Sequence, residues 1–242
     1  MLDRLRANGY QIEYYAHALA ILSQDFPNEM EQLDRVLDAT AVPIAEIIAG
    51  GGGEADGTQR MRRALTLEEW KKINFKIEKI VNGVPRESIS HEIDHVKITP
   101  AGTLALEIEW NNKDPFFDRD LENFKRLHAE GAISAGIIIT RGAELQAALK
   151  PLVLRFALEN GIASFDDLVR FGYEPTRRQR DIVNRRVSRG LPFPEAWSSF
   201  FVGDKFGAST THWGKLQDRV RRGVGNPCPL LLIGLPASVI QF

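Results

Sequence analysis

Residues 133–140 read Ile-Ser-Ala-Gly-Ile-Ile-Ile-Thr, nearly continuously apolar and rich in β-branched side chains. A strand with one wet face alternates apolar and polar residues. This one does not, which is the mark of a strand covered on both faces. The segment before it, residues 117–130, carries Phe117, Leu121, Phe124 and His128 at helical spacing and is closed by Gly131. Before that lies another apolar strand, residues 104–110. Strand, helix, buried strand is the order of a crossover between parallel strands. The chain is thereby committed to an α/β architecture, a mixed sheet flanked by helices. A further helix over residues 143–159 and a short strand over 229–233 extend the pattern.

Residues 99–102, Thr-Pro-Ala-Gly, place a proline early and a glycine late, a turn signal. If they form the loop of an antiparallel hairpin, Ile98 faces Thr103, Asp94 lies opposite Glu107, and Glu92 lies opposite Glu109. Residues two apart share a face of a strand, and directly opposed residues share it too. Four carboxylates then stand on one face, with Leu104, Leu106, Ile108 and Trp110 on the other. Like charges at that spacing repel, and a hard divalent cation bound by oxygen is the simplest relief. The competing reading is an acidic wet face of a surface strand, and one extra loop residue would reverse the facing. Two glutamates inside an otherwise good strand favour a site, because Glu is a poor strand former. The same register puts His95 and Lys97 on the apolar face. That requires a partly polar neighbouring layer or a break in the register.

The chain's 242 residues suffice for a large core. No apolar run approaches the length of a membrane span, and no basic-then-apolar leader pattern opens the sequence. The single cysteine, Cys228, stands between two prolines, which excludes a disulfide framework within the chain and points to a cytoplasmic setting. A formal net charge of −1 conceals segregation: residues 1–60 hold ten acids against four Lys and Arg, and residues 171–225 hold eleven Lys and Arg against five acids. A basic segment of this kind suits a polyanionic partner or a solvated helix.

Residues 1–45 read as helical, through Leu5, Tyr10, Ile12, Tyr15, Ala18, Leu19 and Leu22. Residues 50–53, four glycines, are the clearest internal linker and divide an N-terminal helical region, 1–60, from the remainder, 61–242. Thr66 with Glu69 forms a capping-box pattern. A helix over residues 66–81 would follow, with Leu67, Trp70, Ile73, Ile77, Ile80 and Val81 on one side and Asn82-Gly83 ending it.

Ile93-Asp94, a gap of about a dozen residues, then Glu107-Ile108-Glu109 resembles the PD-(D/E)xK nuclease signature, and strand–helix–buried strand is the core order of that fold. Residues 108–121, Ile-Glu-Trp-Asn-Asn-Lys-Asp-Pro-Phe-Phe-Asp-Arg-Asp-Leu, resemble the BglII/BstYI family of type II restriction endonucleases. So do residues 211–215, Thr-His-Trp-Gly-Lys, and 227–229, Pro-Cys-Pro; the resemblance runs from Thr66 to the C-terminus. It implies a restriction-endonuclease-like mixed sheet with an N-terminal helical extension and Mg²⁺-dependent, sequence-specific hydrolysis of double-stranded DNA. It also implies a homodimer matched to a palindromic site and a companion methyltransferase acting on the same sequence. Asp94 and Glu107 would be metal ligands, Glu109 a further ligand or proton acceptor, and Glu92 an outer candidate. Most such enzymes carry Lys where this chain has Glu109, although the BamHI-type enzymes also show an acid there. Lys113 is then either a migrated lysine or a loop contact to phosphate or solvent. Arg177, Arg178, Arg180, Arg185, Arg186 and Arg189 would neutralise phosphates. Asn111, Asn112, Lys113, Ser209, Thr210, Thr211, His212 and Lys215 would meet DNA from loops. The helix expected over residues 66–81 would supply the dimer interface or pack on its own sheet. The alternatives are a nuclease of the same superfamily acting in repair or phage defence with loose specificity, and a catalytically silent DNA-binding module.

Overall fold

The computed structural model describes residues 1–49 and 54–242, so the linker expected at residues 50–53 lies outside the described residues. The chain opens with α1 (Asp3–Ala7), β1 (Gln11–Tyr15), α2 (Ala18–Asp25), α3 (Pro27–Asp38), β2 (Val42–Pro43), α4 (Ile44–Ile48) and α5 (Asp56–Leu67). A long hairpin follows, β3 (Lys71–Val81) and β4 (Val84–Thr99), then β5 (Gly102–Glu109), the crossover helix α6 (Phe116–Ala129), β6 (Ala135–Arg141) and α7 (Ala143–Glu159). The helices α8 (Asp166–Val169), α9 (Arg177–Val187), α10 (Phe193–Lys205) and α11 (Trp213–Arg221) lead to β7 (Leu230–Leu235) and β8 (Ile240–Gln241).

Six strands form one mixed sheet in the order β1-β7-β6-β5-β4-β3. β5, β6 and β7 are parallel to one another, and β1, β4 and β3 run antiparallel to their neighbours. Every residue of β6 and β7 is buried, as a strand covered on both faces requires. On one face Leu106, Ile108, Ile137, Ile139, Leu231 and Ile233 pack in a core shared with the N-terminal helices, α7 and α10. On the other, Ala105, Ile138 and Leu232 meet Phe117, Leu121 and Phe124 of α6 and Trp213, Leu216 and Val220 of α11. The mixed sheet flanked by helices is as expected from the sequence.

Two local expectations are corrected. Residues 11–15 are not helical: they form β1, which pairs with the open edge of β7 and buries Ile12. Residues 71–81 are not helical either. α5 ends at Leu67, the Thr66 hydroxyl donates to the Arg62 carbonyl one turn back (2.8 Å) instead of capping a new helix, and β3 begins at Lys71. Ile73, Phe75 and Ile77 alternate with exposed residues and pack on the α6 side of the sheet. Asn82 and Gly83 have φ of 52° and 79° and join Val81 to Val84 across a two-residue turn. Positive φ at both positions is what a primed hairpin turn needs, so the pair turns a hairpin here and ends no helix. With that helix gone, the dimer interface assigned to it is withdrawn.

The β4–β5 hairpin holds the expected register. Ile98 pairs with Thr103 and the ladder runs back to His95 opposite Leu106. Thr99 also pairs with Gly102, so only Pro100 and Ala101 turn the chain. His95 and Lys97 do lie in the buried layer, which is polar at the end of α5. Lys97 Nζ donates to the Glu68 carbonyl (2.7 Å) and reaches the Glu69 carboxylate (3.5 Å), and His95 Nδ1 meets the Leu106 carbonyl (3.3 Å).

Candidate active site

The outer side of β4 carries a β-bulge. Lys71 pairs with Val96 and Ile73 with Ile93, so β4 spends three residues where β3 spends two, and the extra residue falls at Asp94–His95. Bulges re-aim side chains, and beside this one Glu92 and Asp94 share the Lys72 ammonium while the β4–β5 ladder stops at His95. Glu92 pairs with Asn74, is exposed, and its carboxylate binds Lys72 Nζ at 2.7 Å. Its expected position opposite Glu109 is therefore corrected. Asp94 stays across from Glu107, whose Oε1 accepts the Asp94 amide at 3.4 Å, while the Asp94 carboxylate turns to Lys72 (3.2 Å).

A further acid reaches Glu107 and Glu109 from another element. In α6, Asp120 sits in the apolar stripe of Phe117, Leu121 and Phe124 and is brought down onto the sheet beside Glu107 and Glu109. Glu107, Glu109 and Asp120 are 5%, 2% and 1% exposed. Arg119 Nε and Nη2 each lie 2.8 Å from Asp120 Oδ1, and Nη2 is 3.6 Å from Glu109 Oε1. Asn112 Nδ2 donates to Glu109 Oε2 at 2.7 Å. Asp120 Oδ2 is buried without a partner.

The electrostatics follow. Burial first, then repulsion from Asp120 and Asp94, holds Glu107 well above the usual carboxylate range. Burial and Asp120 push Glu109 up to about 8 against the pull of Asn112 and Arg119. Burial also raises Asp120, opposed by Arg119. Among the described residues no three His, Cys, Asp or Glu side chains close into a metal-holding set as they stand. The donors nonetheless fit a hard cation. They are carboxylate oxygens in excess of positive charge, one of them buried and unpartnered, and Asp94 is held away by an exposed lysine.

The loop after β5 is fastened from two sides. The Thr140 hydroxyl donates to the Glu109 carbonyl (2.7 Å). Residues 112–114 form a short ladder with 209–211: Thr211 N to Asn112 O (2.8 Å), Asn112 N to Thr211 Oγ1 (3.1 Å), Asp114 N to Ser209 O (3.0 Å), with Lys113 bridged to Thr210. Arg141, fully buried at the end of β6, donates through Nη2 to Thr210 Oγ1 (2.7 Å) and the Thr211 carbonyl (2.6 Å). The two loop groups read from the sequence as DNA contacts are thus one structural unit at the C-terminal ends of β5 and β6. Asp94, Asn111 and Asn112 line a cleft of about 990 Å³ whose walls include Arg62, Lys71 and Lys72.

The family model described as restriction endonuclease BglII/BglIII matches residues 10–235. The chain belongs to the BglII/BglIII restriction endonuclease family. A comparison with curated proteins finds no match. Members of this family are type II site-specific deoxyribonucleases, so the activity is sequence-specific DNA cleavage. No helix among the described residues is long and apolar enough to cross a membrane.

Other sequence candidates of this BglII-family chain fall into two groups. Asn112, Lys113 and Ser209 are exposed, and His212 and Lys215 are half-buried. Thr211 is buried with its hydroxyl taken by Asn112, and the Thr210 hydroxyl both accepts from Arg141 and donates to the Gly207 carbonyl. On α9, Arg177, Arg178 and Arg185 point to solvent, as does Arg189 in the turn after it, whereas Arg180 and Arg186 lie over Phe165 and Phe200. Arg119, Asp120, Lys72 and Arg141 were missed in the sequence. Only Asp120 carried a signal there: an acid falling on the apolar stripe of a helix.

Proposed function

We propose that this restriction endonuclease acts in the cytoplasm as a homodimer on a palindromic duplex, with Mg²⁺ held by Asp94, Glu107 and Glu109. What supports the metal assignment most is the burial of Glu107 and Glu109 against Asp120, with Arg119 as their one cationic contact among the described residues. Buried carboxylates that repel one another are costly without compensation. Oxygen donors in excess of positive charge are the set a hard divalent cation prefers. When bound, Mg²⁺ supplies Lewis acidity toward the scissile phosphate and lowers the pKa of a coordinated water.

The chain's own groups do the rest. Asn112 fixes one oxygen of Glu109; pushed up to about 8, this carboxyl is mostly protonated at neutral pH in the cation-free protein and is ionised by a cation beside it. In that ionised state Glu109, rather than Lys113, is the proton acceptor. Lys72 holds Asp94 and Glu92 until phosphate enters the cleft, then exchanges these carboxylates for the phosphate as its ion-pair partner. Asn112, Lys113, Ser209, His212 and Lys215 meet DNA from the fastened loop unit, with Thr210 and Thr211 as its frame. Arg177, Arg178, Arg185 and Arg189 add phosphate contacts that weaken with salt. Two-fold symmetry of the site calls for two-fold symmetry of the protein. A methyltransferase of the same specificity protects the host's own copies of the site.

Replacing Glu107 by Ala should abolish cleavage while DNA binding in Ca²⁺ persists, as measured by band shift alongside a cutting assay. Loss of both, in a protein that still melts cooperatively, would count against Glu107 as a metal ligand.

A further inference from the structure

We propose that Asp120 is a fourth carboxylate donor to the divalent cation, delivered by the crossover helix and aimed by Arg119. This rests on the metal reading above and adds a ligand that lies outside the hairpin motif. Three observations on geometry lead there. Asp120 is 1% exposed on a helix stripe otherwise built from Phe117, Leu121 and Phe124, where an apolar residue would pack without penalty. Arg119 binds only Oδ1, through two nitrogens at 2.8 Å, which fixes the carboxylate plane and leaves Oδ2 buried without an N–H or hydroxyl donor among the described residues, Asp120 otherwise meeting the Glu109 carboxyl. Two buried carboxyls in contact share either a proton or a cation, and with Glu107 beside them the acids outnumber the positive charge, which suits a cation.

The same contact accounts for Arg119. It spans Asp120 and Glu109 (3.6 Å) from a half-exposed position, so it orients both carboxylates without entering the buried space between them. It is a positioning residue, and Asp120 is the donor. With Asp120 included, the carboxylates come from three elements, β4, β5 and α6. The separation of α6 from the sheet then bears directly on cation affinity.

The test uses the full-length protein. Calorimetric titration with Ca²⁺ should give a dissociation constant at least about tenfold weaker for Asp120→Asn than for the unsubstituted chain. Glu122→Gln, at a surface acid of α6 paired with Lys125, should bind Ca²⁺ unchanged. Asp120→Cys adds a soft ligand at the same point, and on titration with Cd²⁺ should develop the ultraviolet absorption of a cadmium–thiolate bond. The unsubstituted chain, whose one cysteine is buried at position 228, should not. Should Asp120→Asn fail to fold, the Cys variant carries the test. Unchanged Ca²⁺ affinity in Asp120→Asn overturns the proposal. Weakened affinity with no cadmium–thiolate band in Asp120→Cys overturns it too, because the carboxylate would then act by charge alone. If the unsubstituted chain binds no Ca²⁺, the metal reading itself falls and this one with it.

Discussion

At pH 8 and without divalent cation, the Glu109→Gln protein should unfold at a higher temperature than the unsubstituted chain, by up to roughly 4 kcal/mol of stability, while losing cleavage. The sign comes from the shifted carboxyl. In the folded protein Glu109 keeps its proton up to about pH 8, against an ordinary value of 4.5. Between those limits unfolding releases a proton, so stability falls as the pH rises through the window. Gln carries no proton to lose and still offers an oxygen to Asn112. Its advantage should be absent at pH 4, grow from about 4.5 and level off above 8. Added Mg²⁺ should reverse the order by stabilising only the chain with its full set of acids. Melting curves at several pH values, with and without Mg²⁺, would test this. Equal melting temperatures at pH 8 would mean that Glu109 is ionised at no cost, and its role as proton acceptor would lose its basis.

The second large effect concerns the crossover helix. Gly136 of β6 lies beneath Phe124, and a methyl added there would collide with the ring, 2.8 Å from Cγ. Phe124 is fully buried, and Asp120 precedes it by one turn of α6. Gly136→Ala must therefore lift α6 or displace a ring with nowhere to go, at roughly 3 kcal/mol. Because α6 carries Arg119 and Asp120, cleavage should fall even at temperatures where the variant is folded. Adding Phe124→Leu should recover part of the stability, and urea unfolding of the two single variants and the double one measures that coupling. Strict additivity would show that the two side chains do not meet.

Much of this was legible beforehand, and for identifiable reasons. The β6 run has no polar alternation, and a strand without a wet face can only be central. The register of β4 against β5 follows from a turn whose proline and glycine leave little choice, so Ile98 opposite Thr103 and the ladder back to His95 opposite Leu106 could be counted from the sequence. What was not legible depends on partners far away in the chain. Residues 71–81 satisfy helical and strand periods together, since Ile73 and Ile77 fit both, and pairing with β4 decides between them. Asn82-Gly83 is the stronger hairpin signal, but it also stops helices. The bulge at Asp94–His95 has no sequence signature, and the β4–β5 ladder ends there, short of Glu92. Tyr10 and Ile12 suit an amphipathic helix equally well until β7 offers an open edge. Asp120 was readable as an acid on an apolar stripe, yet only the packing of α6 against β5 shows what it faces.

The activity proposed for this chain is a metal-dependent, sequence-specific cut made by the carboxylates of β4 and β5. It is tested most directly by incubating unmethylated phage DNA with the purified protein in Mg²⁺, and in parallel with EDTA. Discrete, reproducible fragments that vanish with EDTA are the predicted result, and their ends would give the recognition sequence. DNA left intact in both, or reduced to a smear, would contradict it.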